Sequence, residues 1–205
     1  MESDYGPGML VEHRGKQPSV DPSAYVAPNA VVCGDVRIGP DCRVLFGAVV
    51  TAEDGTVELG ARCVVMENAL VRAREEHPVK LGDDVLVGPH AHVNGSEVGD
   101  GCFLATGTSL FPGSRLGRGV EVRINAIVHV NTALDAGAMV PIGWVAVGNP
   151  ARVIAPWDHD QIWQIQKLLD FPKTVYGLPR DAPARERMER QTEWFGAHRE
   201  DQVLE

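Results

Sequence analysis

The sequence predicts a parallel β-helix, because aliphatic residues recur every six positions along most of the chain. Neither an α-helix nor a simple strand pair has a period of six, whereas a coil with three short faces does. We expect these anchors to point inward, in about seven coils from Val20 to roughly Ala146. The anchors are Val20, Val26, Val32, Ile38, Val44, Val50, Leu59, Val65, Val71, Leu81, Val87, Val93, Val98, Leu104, Leu110, Leu116, Val122, Val128, Leu134 and Val140.

Small residues and glycines near the anchors support the same fold. A small or short side chain stands four positions after most anchors, and glycine often follows an anchor directly. A narrow triangular core leaves little room at its corners, and glycine permits the tight backbone there. Cys42, Cys63 and Cys102 stand at such small inward positions, so packing is their expected role. Cys33 follows its anchor and is expected to point outward.

The pattern divides the chain into an N-terminal tail (1–15), a β-helix domain (16–156) and a C-terminal helical extension (157–205). Where the anchor spacing lengthens, loops are predicted around 52–56 and 73–80.

Within the C-terminal extension, apolar residues at helical spacing predict a helix over 159–170. The charged stretch 185–195 predicts a second helix, with the Pro-rich stretch 171–183 as the connection. We expect a helix to pack along the outside of the coils.

Composition and charge exclude several functions. A net charge of −9 argues against nucleic acid or an anionic membrane surface as a partner, because either favours a basic patch. The first residues lack the features of a signal peptide, and no stretch approaches the ~20 apolar residues that span a bilayer. A cytoplasmic location is therefore expected.

Three stretches resemble the γ-class carbonic anhydrase family of hexapeptide-repeat proteins: GKQPSVDPSAYVAPNAVVCGDVRIG, VKLGDDVLVG and VAVGNPARVIAP. The resemblance runs from Lys16 to about Pro156, although the closing GNPARVI is shared with hexapeptide acyltransferases. It implies a left-handed β-helix, a homotrimer, and a zinc-type metal held between subunits by three histidines.

The resemblance places Arg72, Pro89 and Asn94 where the family has its three histidine ligands. Proline and arginine cannot ligate a metal, so neither a metal nor another cofactor is expected there. Thr51 and Glu53 correspond to the arginine and aspartate of the family's RGD element. The resemblance also places Met66 and Glu67 at a Gln-Asp pair.

The stretch VGPHAHVNG still contains His90 and His92, on either side of the inward residue Ala91. A metal on these histidines would need a third ligand such as His77 or His129. Otherwise, His90 and His92 are expected to be ordinary surface or interface histidines. His129 is expected to be exposed.

Val71 and Val93 are predicted to lie on one face in adjacent coils, so Arg72 and Asn94 should be stacked neighbours. The planar, permanently charged guanidinium suits a carboxylate, and acidic or imidazole groups nearby could exchange protons. The candidate catalytic residues are Arg72, Glu53, Glu67, His90 and His92, and the candidate substrate-binding residues are Arg72, Asn94, His77 and Met66. Alternatively, Arg72 has only a structural role and forms an ion pair with Glu53 or Glu67 across a subunit boundary.

These observations favour a homotrimer with a metal-independent site between subunits that binds or acts on a small anionic or carbonyl molecule. Three alternatives remain: a non-catalytic binding or scaffold trimer, a coenzyme A-dependent acyltransferase, and a carbonic anhydrase with non-standard ligands. The expected partners are further copies of the chain and a small-molecule ligand, without nucleic acid or membrane.

Overall fold

In the computed structural model, which describes residues 8–204, short strands wind the chain into a parallel β-helix. The strands are β1 (Met9–Glu12), β2 (Ser19–Val20), β3 (Tyr25–Val26), β4 (Val31–Ile38), β5 (Arg43–Val44), β6 (Val49–Leu59), β7 (Val64–Val65), β8 (Leu70–Arg72), β9 (Val79–Leu81), β10 (Leu86–Val87), β11 (His92–Asn94), β12 (Glu97–Val98), β13 (Phe103–Leu104), β14 (Ser109–Leu110), β15 (Arg115–Leu116), β16 (Glu121–Val122), β17 (Ile127–Val128), β18 (Ala133–Leu134), β19 (Met139–Val140), β20 (Val145–Val147), β21 (Arg152–Ile154) and β22 (Gln202–Val203).

The strands form three faces. One face is a seven-stranded sheet, in the order β19-β16-β13-β10-β7-β5-β3. The other two faces belong to one larger sheet, because the long strands β4 and β6 turn the corner between them. The coil makes about eight turns, one more than the anchor count predicts.

The core confirms the predicted inward positions. Every anchor from Val32 to Val140 is buried, and Val20 and Val26 at the first coil are partly buried. Cys42, Cys63 and Cys102 are buried at the corners, as their spacing predicts.

The two predicted loops differ in their conformation. Residues 52–56 belong to strand β6, which continues unbroken from Val49 to Leu59. Its pairing with β4 shifts register between Ala52 and Val57, so the extra residues bulge from the coil within the strand and not in a separate loop. Residues 73–80 do leave the coil, in a tight turn closed by the Arg74–His77 bridge, and rejoin it at β9.

The N-terminal stretch is more ordered than the predicted tail. Met9–Glu12 forms β1, which pairs with β4 in parallel and with β22 in antiparallel orientation. Strand β1 therefore lies between the coil and strand β22. Residues 1–7 of the predicted tail, together with Glu205, lie outside the described residues.

The C-terminal extension contains the helices α1 (His159–Gln166), α2 (Phe171–Tyr176) and α3 (Ala184–Phe195), followed by a 3₁₀ turn (Gly196–Glu200). Helix α2 falls in the stretch predicted as a connection, and its proline is tolerated because the first helical turn needs no amide donor. Ile162 and Ile165 pack against Ile127 and Val145 on the outside of the coil, as predicted. Within residues 8–204, each helix is too short or too polar to cross a bilayer.

The narrow core predicts a measurable cost for a small cavity. Val93→Ala removes two methyl groups from a fully buried anchor, so we expect it to destabilise the fold by about 2 kcal/mol. The measurement is chemical denaturation, with Glu97→Ala at an exposed strand position as the matched control. Equal free energies of unfolding for the two variants would contradict the inward placement of Val93.

Candidate functional site

A row of side chains projects outward from one face of the coil, one from each of four adjacent turns. Cys33 pairs in register with Thr51, Thr51 with Arg72, and Arg72 with Asn94. Each follows a buried anchor, so strand alternation turns its side chain away from the core. The predicted stacking of Arg72 and Asn94 is confirmed. We call the face that carries this row the Arg72 face.

Glu53 lies at the edge of the Arg72 face and contacts two of the row residues. Its Oε1 atom lies 3.6 Å from Arg72 Nε and accepts a 3.2 Å hydrogen bond from Thr51 Oγ1. The Glu53 side chain is only 3% exposed, so its charge needs these partners. Arg72 thus pairs with Glu53 within one chain, whereas the sequence-based alternative placed this pair across a subunit boundary.

The C-terminal extension covers the Arg72 face. The guanidinium of Arg72 lies 5.4 Å from the ring centre of Phe195. Arg74 stacks on Trp194 at 3.7 Å, and the Trp194 indole donates a 2.8 Å hydrogen bond to Asp54. These cation–π and hydrogen-bond contacts hold helix α3 against the coil. The site therefore has a lid made from the same chain.

Two histidines on this face are shielded from solvent, His129 fully by the cover and His92 partly, beside Phe111 of the coil. His129 is 4% exposed, which corrects the prediction of a surface residue, because Phe171 and Gln166 of the extension lie over it. Burial lowers the pKa of His129 to about 4. Burial and the charge of Arg72 lower the pKa of His92. Both imidazoles are therefore neutral at neutral pH, and each can accept a proton only at an energetic cost.

Several polar atoms beneath the cover lack partners. Among the described residues, Arg72 Nε, Asn94 Oδ1, His92 Nε2 and His129 Nδ1 are buried without a hydrogen-bond partner. An unpaired buried polar atom costs roughly 1–3 kcal/mol. Three of these atoms belong to two adjacent turns, so one small polar ligand could satisfy more than one of them.

Other predicted site residues lie elsewhere in the subunit. Met66 and Glu67 form the turn between β7 and β8. The exposed His90 lies in the turn between β10 and β11, and its backbone amide donates a hydrogen bond to the Glu67 carbonyl. The length of strand β8 separates this corner from Arg72. His77 lies at a cleft of about 310 Å³ between the 73–77 turn and helix α2, where burial lowers its pKa.

A second group of polar side chains adjoins the Arg72 face and was missed in the sequence. His13 Nδ1 donates a 2.6 Å hydrogen bond to Asp201, and His198 Nδ1 donates another of 2.8 Å to the same carboxylate. His198 Nε2 donates a 2.9 Å hydrogen bond to Glu53. The two imidazoles stack at 4.3 Å, and Cys33 Sγ lies 3.9 Å from Asp201. We call His13, Cys33, His198 and Asp201 the terminal cluster.

The pKa values in the terminal cluster follow from these contacts. Burial opposes the charged form of His198, but the bonds and charges of Asp201 and Glu53 outweigh it and raise the pKa. Burial also opposes the Asp201 carboxylate, yet the hydrogen bonds from both histidines lower its pKa. Burial, followed by the charge of Asp201, raises the pKa of the Cys33 thiol to about 12.

No local motif in the sequence could have revealed the terminal cluster. His13 and Asp201 are 188 positions apart and belong to the two ends of the chain. The pairing of β1 with β22 brings those ends together. The one available signal was Cys33, a cysteine predicted to point outward from strand β4.

Among curated proteins, the chain is similar to γ carbonic anhydrase 1, mitochondrial, of Arabidopsis thaliana, with 33% identity over 153 residues. The match covers 72% of this chain and 54% of the relative, so the chain spans about half the length of that protein. A carbonic anhydrase of Geobacillus kaustophilus is 22% identical over 160 residues, covering 78% of this chain and 85% of the relative.

Among solved structures, a putative acetyltransferase of Bacillus cereus superposes with a TM-score of 0.56 and 20% identity, covering 94% of each chain. A UDP-N-acetylglucosamine acyltransferase of Francisella novicida gives a TM-score of 0.57 with 13% identity, covering 89% of this chain and 83% of that one. These identities support the fold alone. No family model matches the chain. From the repeat, the coil and the curated relatives together, the chain belongs to the γ-carbonic anhydrase-like family of hexapeptide-repeat proteins.

Proposed function

We propose that this protein is a homotrimer without the family's zinc site, and that its Arg72 face binds a small molecule bearing a carboxylate or carbonyl group. One observation carries the proposal: Arg72 Nε and Asn94 Oδ1 are buried in adjacent turns without a hydrogen-bond partner. A donor and an acceptor side by side match a ligand that offers both kinds of group. Such a ligand would remove the cost of leaving these atoms unpaired.

The residues at the family's metal positions do not fit a zinc ion. Pro89 has no donor atom in its side chain, and Arg72 carries a permanent positive charge that repels a divalent cation. Asn94 contributes an amide oxygen, which suits hard cations such as calcium better than zinc. Zinc-activated water is therefore not part of the proposed chemistry at these three positions.

Arg72 can bind and polarise a ligand without a metal. Its guanidinium presents a planar fork of donors, and 29% of the side chain stays exposed beneath the cover. The ion pair with Glu53 uses Nε at 3.6 Å, longer than a strong charge-assisted hydrogen bond. A ligand carboxylate could therefore compete for the fork while Glu53 keeps its hydrogen bond from His198.

The trimer supplies the rest of the proposed site. Met66, Glu67 and His90 lie at a corner separated from Arg72 by the length of a strand, so a neighbouring subunit is needed to bring such a corner to the Arg72 face. The family resemblance implies this arrangement. In it, Glu67 or His90 of one subunit would exchange protons with a ligand held by Arg72 of another. If the site is catalytic, this proton exchange between subunits is the step that it would catalyse.

Replacement of the arginine tests ligand binding. We expect Arg72→Gln to lower the affinity for bicarbonate, which offers both acceptor oxygens and a donor hydroxyl, at least tenfold in calorimetric titration, because the charged fork is lost. Arg115→Gln, at an exposed position on another face, is the matched control and should bind as the wild type does. Unchanged affinity in Arg72→Gln would overturn the anion site, and loss of the trimer in that variant would favour a scaffold role for Arg72.

The oligomeric state tests the inter-subunit form. We expect light scattering after size exclusion to give three times the mass of the 22.2 kDa chain. A monomer would contradict any site shared between subunits, because the Glu67 corner could not reach Arg72.

Carbon dioxide hydration tests the absence of the family's zinc chemistry. We expect the zinc-saturated wild type to show no hydration above the buffer rate in a stopped-flow assay. The combined variant Arg72→His, Pro89→His and Asn94→His should gain metal binding, because three imidazoles replace an arginine guanidinium, a proline ring and an asparagine amide. Hydration by the wild type, with the rate rising in proportion to added zinc, would contradict the proposal.

A further inference from the structure

The terminal cluster holds four side chains of the types that bind zinc. His13 and Cys33 are buried, with 1% and 4% exposure, and His198 and Asp201 are partly buried. One candidate donor atom from each residue lies within 4.8 Å of every other. Two imidazoles, a thiol and a carboxylate in one small volume form a donor set that structural and catalytic zinc sites use. Ordinary packing does not require this combination.

We propose that His13, Cys33, His198 and Asp201 bind a Zn²⁺ ion within a single subunit. The site is separate from the three family positions and from the ligand proposed for Arg72. It departs from the sequence-based expectation of a protein without a metal.

The hydrogen bonds around His198 support a metal at its Nδ1 atom. Its Nε2 donates to the buried carboxylate of Glu53 at 2.9 Å, so Nδ1 points toward Cys33 and Asp201. Metal-bound histidines usually donate their other ring nitrogen to a carboxylate in this way, which fixes the ring and raises its basicity. Glu53 is thus a positioning residue for the proposed ligand His198.

The four donor atoms would have to move to surround an ion, because they lie within 4.8 Å of one another but not at tetrahedral separations. At zinc bond lengths of about 2.0–2.3 Å, the donors of a tetrahedral site lie roughly 3.3–3.8 Å apart. The hydrogen bonds that His13 and His198 donate to Asp201 are 2.6 and 2.8 Å long and would lengthen. The 3.9 Å contact between Cys33 and Asp201 would shorten slightly. The 3.3 Å contact that Arg14 donates to His13 Nε2 would be released, because that nitrogen carries the proton once Nδ1 binds metal.

The charge balance also favours a dication. Asp201 and Glu53 are carboxylates, and zinc binding converts the Cys33 thiol to a thiolate with release of a proton.

Four protein ligands would complete a tetrahedral zinc ion and leave no position for water. The proposed role is therefore structural. His13 follows β1, Cys33 lies in β4, and the other two ligands flank the end of the 3₁₀ turn. The ion would cross-link both ends of the chain and hold the C-terminal cover on the Arg72 face.

Cobalt substitution of the full-length protein tests the site. We expect one Co²⁺ per chain to give a thiolate-to-cobalt charge-transfer band, and zinc to displace it. Cys33→Ser should abolish the band, whereas Cys102→Ser, in which the hydroxyl can keep the hydrogen bond to the Gly117 carbonyl, should retain it. Glu53→Gln should weaken zinc binding about 10–100-fold through its effect on His198.

A second measurement separates a binding site from a folding defect. Circular dichroism of Cys33→Ser should match the wild type, and zinc should raise the melting temperature of the wild type but not that of the variant. A band that persists in Cys33→Ser, or a wild type that binds neither cobalt nor zinc, would overturn the proposal. Both results are independent of anion binding at Arg72.

Discussion

The narrow three-sided core is the constraint on which the molecule depends. Only one side chain per short strand fits inside, so the residue after each anchor must project outward. Parallel pairing then stacks these outward residues at the strand spacing of about 4.8 Å. Cys33, Thr51, Arg72 and Asn94 form a row for this reason. The same packing that stabilises the coil therefore builds the candidate site.

The C-terminal extension changes the properties of that row. Without it, His129 and Arg72 would face solvent, where their polar atoms could bond to water. Under Phe171 and Phe195 these atoms are buried, and those that lack partners carry a desolvation cost. The cover therefore lowers the pKa of His129, and it would favour the ligand proposed for Arg72.

Glu53 links the two proposed sites. It accepts hydrogen bonds from Thr51 and His198 and forms an ion pair with Arg72. A nearly buried carboxylate with three partners is costly to disturb, because removal of one partner leaves its charge less compensated. The metal proposed at the terminal cluster would fix His198, and through Glu53 it would influence the position of Arg72. The chain has the fold of the γ-carbonic anhydrase-like family.

The sequence by itself determined the coil, the inward anchors and the stacking of Arg72 on Asn94, because a period of six residues fixes which side chains point inward. It also located two of the three helices in the extension. The burial of His129, the Arg72–Glu53 pair within one chain and the terminal cluster depend on the tertiary structure. Each arises where the C-terminal segment meets the coil, and contacts between residues as distant as His13 and Asp201 leave no periodic signal in the sequence.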